Sequence, residues 1–220
     1  MNSQTIINNI LSGTKNPTYQ FEDIATKLPA KQVMEVYTEL AIRLPDFYAS
    51  LGYVVNMEED ARIKDGYYPY IAFDIADFVQ ILVSVVKEYN VKSFIDVGAG
   101  FGDKVNIASK FVKKSHGIEY LDSYVRQARK FGVTLIKADA FNFHRYHNYD
   151  LVYMYHPIQD KKLYAELVNT ILGRMRKGSI LLEVLPNTIE DMIRNNQIKS
   201  NISVEIVEYF RRDVIILRKD

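Results

Sequence analysis

The 220-residue chain contains no cysteine and no tryptophan. Without cysteine, thiolate catalysis, disulfide bonds and cysteine-rich metal sites are excluded. Neither sign of charge dominates, because 28 Lys and Arg residues balance 27 Asp and Glu residues and leave a formal net charge of +1. A chain this balanced lacks the electrostatic footprint of a nucleic-acid-binding protein, so we do not expect a nucleic acid as partner.

Long apolar runs are missing as well. No stretch approaches the roughly 20 residues that a membrane-spanning helix needs, and residues 1–14 lack the basic-then-apolar layout of a signal peptide. We therefore expect no membrane association and a cytoplasmic protein. Metal ligands are equally sparse: His144 and His147 form an H-x-x-H pair, but Arg145 between them would oppose a cation. We expect no metal site.

The apolar pattern divides the chain into two parts. Residues 1–70 favour helices, as where Val33 and Tyr37 share one helical face. Residues 56–69 are polar and indicate a linking loop. We therefore expect an N-terminal helical cap or extension over residues 1–70 and a main domain over residues 71–220.

The main domain alternates between strand and helix patterns. Strands are predicted at 93–97, 115–119, 133–137, 150–155, 179–184, 203–210 and 213–218. Helical segments between successive strands imply βαβ units and a parallel sheet. The last two runs are joined by so short a link that only an antiparallel hairpin fits. The predicted fold is α/β, with a mostly parallel seven-stranded sheet that ends in this hairpin.

The first predicted strand runs directly into a glycine-rich turn, Asp96-Val-Gly-Ala-Gly-Phe-Gly102. Gly98 and Gly100 remove side chains where the backbone must approach a ligand. The second strand ends in Glu119, whose carboxylate can accept hydrogen bonds from both hydroxyls of a ribose. Strand, glycine turn, helix and a second strand ending in a carboxylate are the means by which open α/β sheets hold an adenosine-containing cofactor.

The spacing of the glycines narrows the choice of cofactor. The dinucleotide fingerprint is G-x-G-x-x-G, whereas this chain has G-x-G-x-G with Asp103 at the last fingerprint position. No Gly-Lys-Ser/Thr follows, which excludes a P-loop. A nicotinamide-dependent oxidoreductase therefore stays open only as an alternative.

Polar residues follow the third and fourth strands. Asp139 could accept a hydrogen bond from an adenine amino group with Phe141 against the ring, or it could cap a turn. Tyr155 and His156 end the fourth strand, where they could shape an acceptor pocket. His156 could serve as a base near neutral pH, or could merely turn the chain before Pro157.

The glycine motif, Glu119 and Asp139-Ala140 together resemble the motifs of class I S-adenosylmethionine-dependent methyltransferases, and the terminal hairpin is similar to that family's seven-stranded sheet. The resemblance covers about residues 70–220 and implies the three-layer, Rossmann-like methyltransferase fold. It implies S-adenosylmethionine as cofactor and Tyr155 and His156 as candidate catalytic residues. The cofactor-binding positions that it implies are Asp96, Gly98, Ala99, Gly100, Gly102, Glu119, Tyr120, Asp139, Ala140 and Tyr155.

The resemblance does not identify the methyl acceptor. Amino-directed nucleic-acid methyltransferases carry Asn/Asp-Pro-Pro-Tyr/Phe after the fourth strand, and this chain has Tyr155-His-Pro-Ile158 instead. We expect a small molecule or a protein lysine side chain as acceptor. The alternative is a methyltransferase-like binding or scaffold subunit without catalysis. The oligomeric state is open.

Overall fold

The structure, a computed structural model, describes residues 2–54, 71, 73–184, 186–199, 201–209 and 212–220. The predicted linker over residues 56–69 lies outside these ranges, so the division of the chain at residue 70 stays a prediction. Within the described ranges, no helix is both long enough and apolar enough to cross a membrane.

The described part of the N-terminal region, residues 2–54, forms α1 (Ser3–Ser12), α2 (Pro17–Ala25), α3 (Ala30–Arg43) and α4 (Leu51–Val54). An asparagine side chain caps the N-terminus of each of the first two helices. Asn2 accepts from the Thr5 N–H and Asn16 accepts from the Thr18 N–H, which satisfies backbone donors that a helix start leaves unpaired.

The main domain contains the seven predicted strands: β1 (Ser93–Val97), β2 (Lys114–Glu119), β3 (Ile136–Lys137), β4 (Leu151–Met154), β5 (Ile180–Glu183), β6 (Ile202–Tyr209) and β7 (Arg212–Lys219). Their order across the sheet is β3-β2-β1-β4-β5-β7-β6. The first five strands are parallel, and β7 is antiparallel to both β5 and β6. The predicted fold class is therefore confirmed, including the terminal hairpin.

This strand order creates a crevice between β1 and β4. From β1 the chain moves outward to β2 and β3, and then returns to the other side of β1 at β4. Open α/β sheets bind their ligands beyond the carboxyl ends of the strands at such a reversal point. The segments after Val97 and Met154 therefore border the expected ligand position.

The described helices of the main domain are α5 (Ile75–Glu88), α6 (Asp103–Ala108), α7 (Asp122–Lys130), α8 (Lys161–Arg174) and α9 (Pro186–Arg194), with a 3-10 turn over Arg145–Asn148. The side chain of Asp74 caps α5 by accepting from the N–H groups of Ala76 and Asp77. Gly132 ends α7 with a φ of +81°, as its position after an apolar helical stripe predicts.

Alternate residues of each strand supply two apolar cores, one on each face of the sheet. Phe94 and Tyr153 face the first core, whereas Ile95 and Val152 face the second. The first core is continuous with the apolar residues of α1, α2 and α3. The N-terminal helices therefore extend the core on this side of the sheet, through contacts of α3 with α5 and α6, rather than forming a core of their own.

The third strand is shorter than the sequence predicts. The apolar pattern indicates a strand over 133–137, but only Ile136 and Lys137 pair with β2. Val133 and Leu135 are buried in the first core without ladder partners. An alternating apolar pattern reports which residues are buried, and it does not by itself fix how far an edge strand pairs.

Candidate active site

The loop between β1 and α6 lies directly on the second strand. Gly98, Gly100 and Gly102 all have positive φ, at +78°, +51° and +76°. The N–H groups of Gly98 and Ala99 both donate to the carbonyl of Ile118 at 3.0 Å. The glycine turn is thus a defined backbone loop anchored to β2.

Two glycines make this close approach possible. A Cβ on Gly102 would lie 2.7 Å from Val133 Cγ1, so the absence of a side chain lets α6 start against the first core. A Cβ on Gly117 would lie 2.6 Å from Ala99 Cβ and 2.7 Å from Val105 Cγ2. Gly117 was not predicted as a site residue. Its signal was available in the sequence, because a glycine inside a strand often marks a close approach of another backbone.

Glu119 lies at the carboxyl end of β2 and its carboxylate faces the glycine loop. Its Oε2 accepts from the Gly100 N–H at 2.9 Å and its Oε1 accepts from the Leu121 N–H at 2.8 Å. The residue is 8% exposed. Burial raises the pKa of Glu119, while hydrogen bonds from Leu121, Gly100 and Tyr120 and the charge of Lys137 oppose the rise.

A carboxylate offers about four lone-pair positions. The Gly100 N–H takes one on Oε2 and the Leu121 N–H takes one on Oε1, and the Tyr120 N–H also interacts with the carboxylate. Glu119 therefore holds the loop and keeps part of its acceptor capacity.

Asp96 lies beneath the glycine loop in a cluster of buried charges. It is 3% exposed, and burial raises its pKa to about 7; Lys104 opposes the rise, and the charges of Asp103 and Glu119 add to it. Lys104 Nζ lies 3.7 Å from Asp103 Oδ1 with both side chains buried. The hydroxyl of Tyr37 donates to Asp103 Oδ2 at 3.5 Å, which links α3 to the cluster.

The residues predicted around the adenine lie at the ends of β2 and β3. The Ala138 N–H donates to the Glu119 carbonyl at 3.0 Å, so this segment is adjacent to Glu119. The carboxylate of Asp139 accepts from the Phe141 N–H and from Asn142 Nδ2, both at 2.9 Å. Asp139 thus caps a turn, which was the alternative to adenine binding; the two uses are compatible because its oxygens keep lone pairs.

Tyr120 and Ala140 occupy different surroundings. Tyr120 is 53% exposed and the Lys137 ammonium lies 5.0 Å from its ring centroid. Ala140 is half-buried against the second core, and its carbonyl accepts from the Tyr146 hydroxyl at 2.9 Å. A ligand could reach the Tyr120 ring from solvent, whereas the Ala140 carbonyl is already engaged.

Tyr155 and His156 follow β4, beside the glycine loop. A Cβ on Gly98 would lie 3.2 Å from Pro157 Cβ, so the turn after β4 touches the loop after β1. The ring of Tyr155 packs against Phe73 with centroids 4.8 Å apart.

His156 has a strained backbone and an aromatic neighbour. Its φ is +42°, a value uncommon outside glycine and several-fold enriched in histidine. Its ring lies 5.1 Å from that of Tyr164, whose hydroxyl donates to the buried Glu183 carboxylate. Burial lowers the pKa of His156, which favours the neutral imidazole. Strained residues of this kind cluster at functional sites.

Among the described residues, no group of three or more His, Asp or Glu side chains is placed to hold a metal ion. The structure thus brings Gly98, Gly100, Glu119, Asp96 and the turn after β4 together at the β1–β4 crevice. Asp139 lies next to this group, because the N–H of the preceding residue, Ala138, donates to the Glu119 carbonyl.

Comparisons with known proteins match this geometry at the level of fold. No family model and no curated protein matches the chain. A putative caffeoyl-CoA O-methyltransferase from Staphylococcus aureus is 12% identical, with a TM-score of 0.51 over 82% of this chain and 98% of that chain. The methyltransferase domain of bacterial CtHen1-CN is 14% identical, with a TM-score of 0.51 over 63% of this chain and 97% of that chain.

A third similar structure is DesVI from Streptomyces venezuelae, which is 17% identical with a TM-score of 0.44 over 64% of this chain. The chain spans 61% of the length of DesVI, which is less than two thirds.

Proposed function

We propose that this chain, which has the seven-stranded fold of class I methyltransferases, binds S-adenosylmethionine and transfers its methyl group to an acceptor. The observation that carries the proposal is the Glu119 carboxylate: it is buried at the end of β2, bound to the Gly100 N–H, and has acceptor capacity left for a ribose diol. The names of similar structures support methyl transfer as the reaction class.

The residues present fit such a cofactor. Glu119 would bind the ribose hydroxyls, the backbone from Gly98 to Gly102 would lie against the nucleoside, and Tyr120 would offer its exposed ring to the adenine. When bound, the cofactor supplies a sulfonium-activated methyl group, so the protein's own task is positioning. Alignment of nucleophile and methyl group can supply about 7–11 kcal/mol of the barrier.

His156 would act as the general base. Its imidazole is half-buried at the crevice and favours the neutral form, which is the form able to accept a proton. Its neutral ring would take the proton that an acceptor atom loses on being methylated. Tyr155, packed on Phe73, would form an aromatic wall of the acceptor pocket. The proposed acceptors are a small molecule or a protein lysine.

Calorimetric titration with S-adenosylhomocysteine tests the proposal. We expect micromolar binding to the wild type and a loss of at least tenfold in Glu119→Gln, because the neutral amide accepts fewer hydrogen bonds from hydroxyls. His156→Asn is the contrasting variant: asparagine also tolerates positive φ, so it should keep the binding and lose transfer of tritiated methyl to fractions of a cell lysate.

Four results would contradict the proposal. The folded protein could bind no S-adenosylhomocysteine, or it could prefer NAD or NADP. Unchanged affinity in Glu119→Gln would remove the site itself. If the protein binds S-adenosylhomocysteine but transfers no methyl group to any protein or small molecule of the lysate, a scaffold role is favoured instead.

A further inference from the structure

The two edges of the sheet differ in length. One edge is β3, in which only Ile136 and Lys137 pair with a neighbour. The other edge is β6, whose eight residues pair with β7 on the inner side and with no described strand on the outer side. An edge strand offers a row of unpaired N–H and C=O groups to another strand, and natural proteins often keep such edges short or cover them. The edge at β6 is therefore a surface available for strand pairing.

Side chains of β6 continue the second apolar face of the sheet beyond its core. Val204 lies opposite Leu217 and Ile206 lies opposite Ile215, and both residues of β7 are buried in the second core. Val204 and Ile206 themselves are 42% and 52% exposed. A long edge strand that exposes apolar side chains is a typical site of pairing between chains, because main-chain hydrogen bonds and apolar contacts form together.

The charged residues of β6 limit how a partner strand can align. Both of them, Glu205 and Glu208, are acidic, and like charges directly opposite each other destabilise a strand pair. Glu205 already accepts a hydrogen bond from the Tyr89 hydroxyl at 2.7 Å, on the face of β6 opposite to Val204. A copy of β6 can pair with this edge only in a register that keeps the carboxylates apart.

One antiparallel register of two β6 strands meets this condition. The apolar row Ile202, Val204 and Ile206 reads the same in both directions. When a two-fold axis passes through Val204, Val204 faces its own copy, each Ile202 faces an Ile206, and Ser203 faces Glu205. Apolar side chains then oppose apolar side chains and no two carboxylates are opposite. An axis through Glu205 would instead place two carboxylates opposite each other.

We propose that two copies of this chain form a two-fold symmetric dimer by antiparallel pairing of their β6 strands about Val204. Two-fold dimers are the commonest assemblies, and their interface uses the same surface of both subunits. The proposal goes beyond the proposed function, because β5 and β7 separate β6 from the β1–β4 crevice. One strand pair buries little surface, below about 1,200 Å², so we expect a dimer that dissociates on dilution.

Sedimentation equilibrium at a series of protein concentrations tests the dimer. We expect the wild-type mass to rise from 25.5 kDa towards twice that value as the concentration increases. Val204→Lys should stay at the monomer mass, because it would place two ammonium groups opposite each other at the axis. Leu11→Lys is the matched control, since Leu11 is 36% exposed on α1, which packs on α2 and α3. It should dimerise like the wild type.

Single cysteines test the register, because the chain has no cysteine of its own. Across the proposed axis the two residue-204 Cβ atoms lie about 4.5–5.5 Å apart, and a small adjustment brings them to the distance of a disulfide. The two copies of residue 206 lie roughly 13 Å apart along the strands. Under mild oxidation Val204→Cys should therefore form a linked dimer at least about tenfold faster than Ile206→Cys, as read on non-reducing gels.

The proposal is overturned if the wild type stays a monomer at every concentration, which would leave the edge for a strand of another protein. It is also overturned if Val204→Lys dimerises like the wild type, or if the two cysteine variants link at equal rates. Val204 is exposed in the monomer, so Val204→Lys should keep the urea midpoint of the dilute wild type. These measurements use no cofactor, so a failure to bind S-adenosylhomocysteine would leave this inference standing.

Discussion

The buried carboxyl group of Asp96 is expected to contribute to the pH dependence of this protein's stability. Burial raises the pKa of Asp96 from 3.8 to about 7. The folded state therefore binds a proton that the unfolded state releases, and the contribution of Asp96 to stability falls as the pH rises from about 4 to about 7. Above that window the folded protein must hold an ionised carboxylate in its interior.

Asp96→Asn tests this dependence, because the amide has the same shape and no charge. Each pKa unit corresponds to about 1.4 kcal/mol, so the stability gained by the variant should be larger at pH 8 than at pH 5 by on the order of 3 kcal/mol. Urea unfolding of both proteins at the two pH values measures the difference. Equal gains at both pH values would show that Asp96 titrates normally.

The sequence predicts the surroundings of some residues better than those of others. The position of Glu119 beside the glycine loop was predictable because a carboxylate that ends the second strand lies next to such a turn in open α/β sheets, while its role in ligand binding stays a prediction. The surroundings of Tyr153 were not predictable, because within the apolar strand Leu151–Met154 it reads as one more core residue. The carboxylates near its buried hydroxyl, Asp96 and Asp103, lie on β1 and α6, which only the folded chain brings to it.

The second strand and the glycine loop pack as one unit through Gly117. The Ala99 Cβ that an added methyl would meet belongs to the loop itself, so it cannot move without displacing the loop. The packing of β2 and the position of the ligand-binding backbone are therefore set by the same contact.

Gly117→Ala should destabilise the protein by about 1–3 kcal/mol, as expected for overpacking, and should also weaken S-adenosylhomocysteine. Gly173→Ala is a matched control inside α8, where an added Cβ meets no described atom within 4 Å. That change should stabilise by about 0.5–1 kcal/mol through helix propensity. Thermal melts with and without ligand measure both; a neutral Gly117→Ala would mean that the loop can shift freely.

At the level of elements, periodicity predicted the presence and the type of all seven strands. The hairpin was predicted from its short link, since no parallel crossover fits there. The extent of β3 was not, because Val133 and Leu135 are buried by packing at Gly102 and Gly117 rather than by ladder pairing. A residue buried by side-chain packing and a residue buried in a paired strand give the same apolar pattern in a sequence.

Across the whole molecule, the N-terminal helices and the sheet share one core. Phe21 of α2 is 0% exposed and packs its ring against Tyr37 and Phe47, at 5.8 Å and 5.5 Å between centroids. From there the contacts continue, because Tyr37 reaches Asp103 and the Asn106 side chain donates to Thr38 Oγ1 at 2.8 Å. Helical periodicity alone indicated an extension and could not show this continuity.

A shared core predicts one cooperative unfolding transition. Phe21→Ala should lower the free energy of unfolding by about 3–5 kcal/mol, the usual cost of removing a buried phenylalanine side chain. Tyr19→Ala, two residues away on the same helix and 60% exposed, should cost about 1 kcal/mol or less. Far-UV circular dichroism reports the helices and the sheet together, and tyrosine fluorescence reports the aromatic side chains. The two curves should coincide for each protein and shift together in Phe21→Ala. If unfolding instead showed two transitions and Phe21→Ala shifted only the first, the N-terminal helices would form an independent unit. Their packing on α6 would then not stabilise the loop that follows β1.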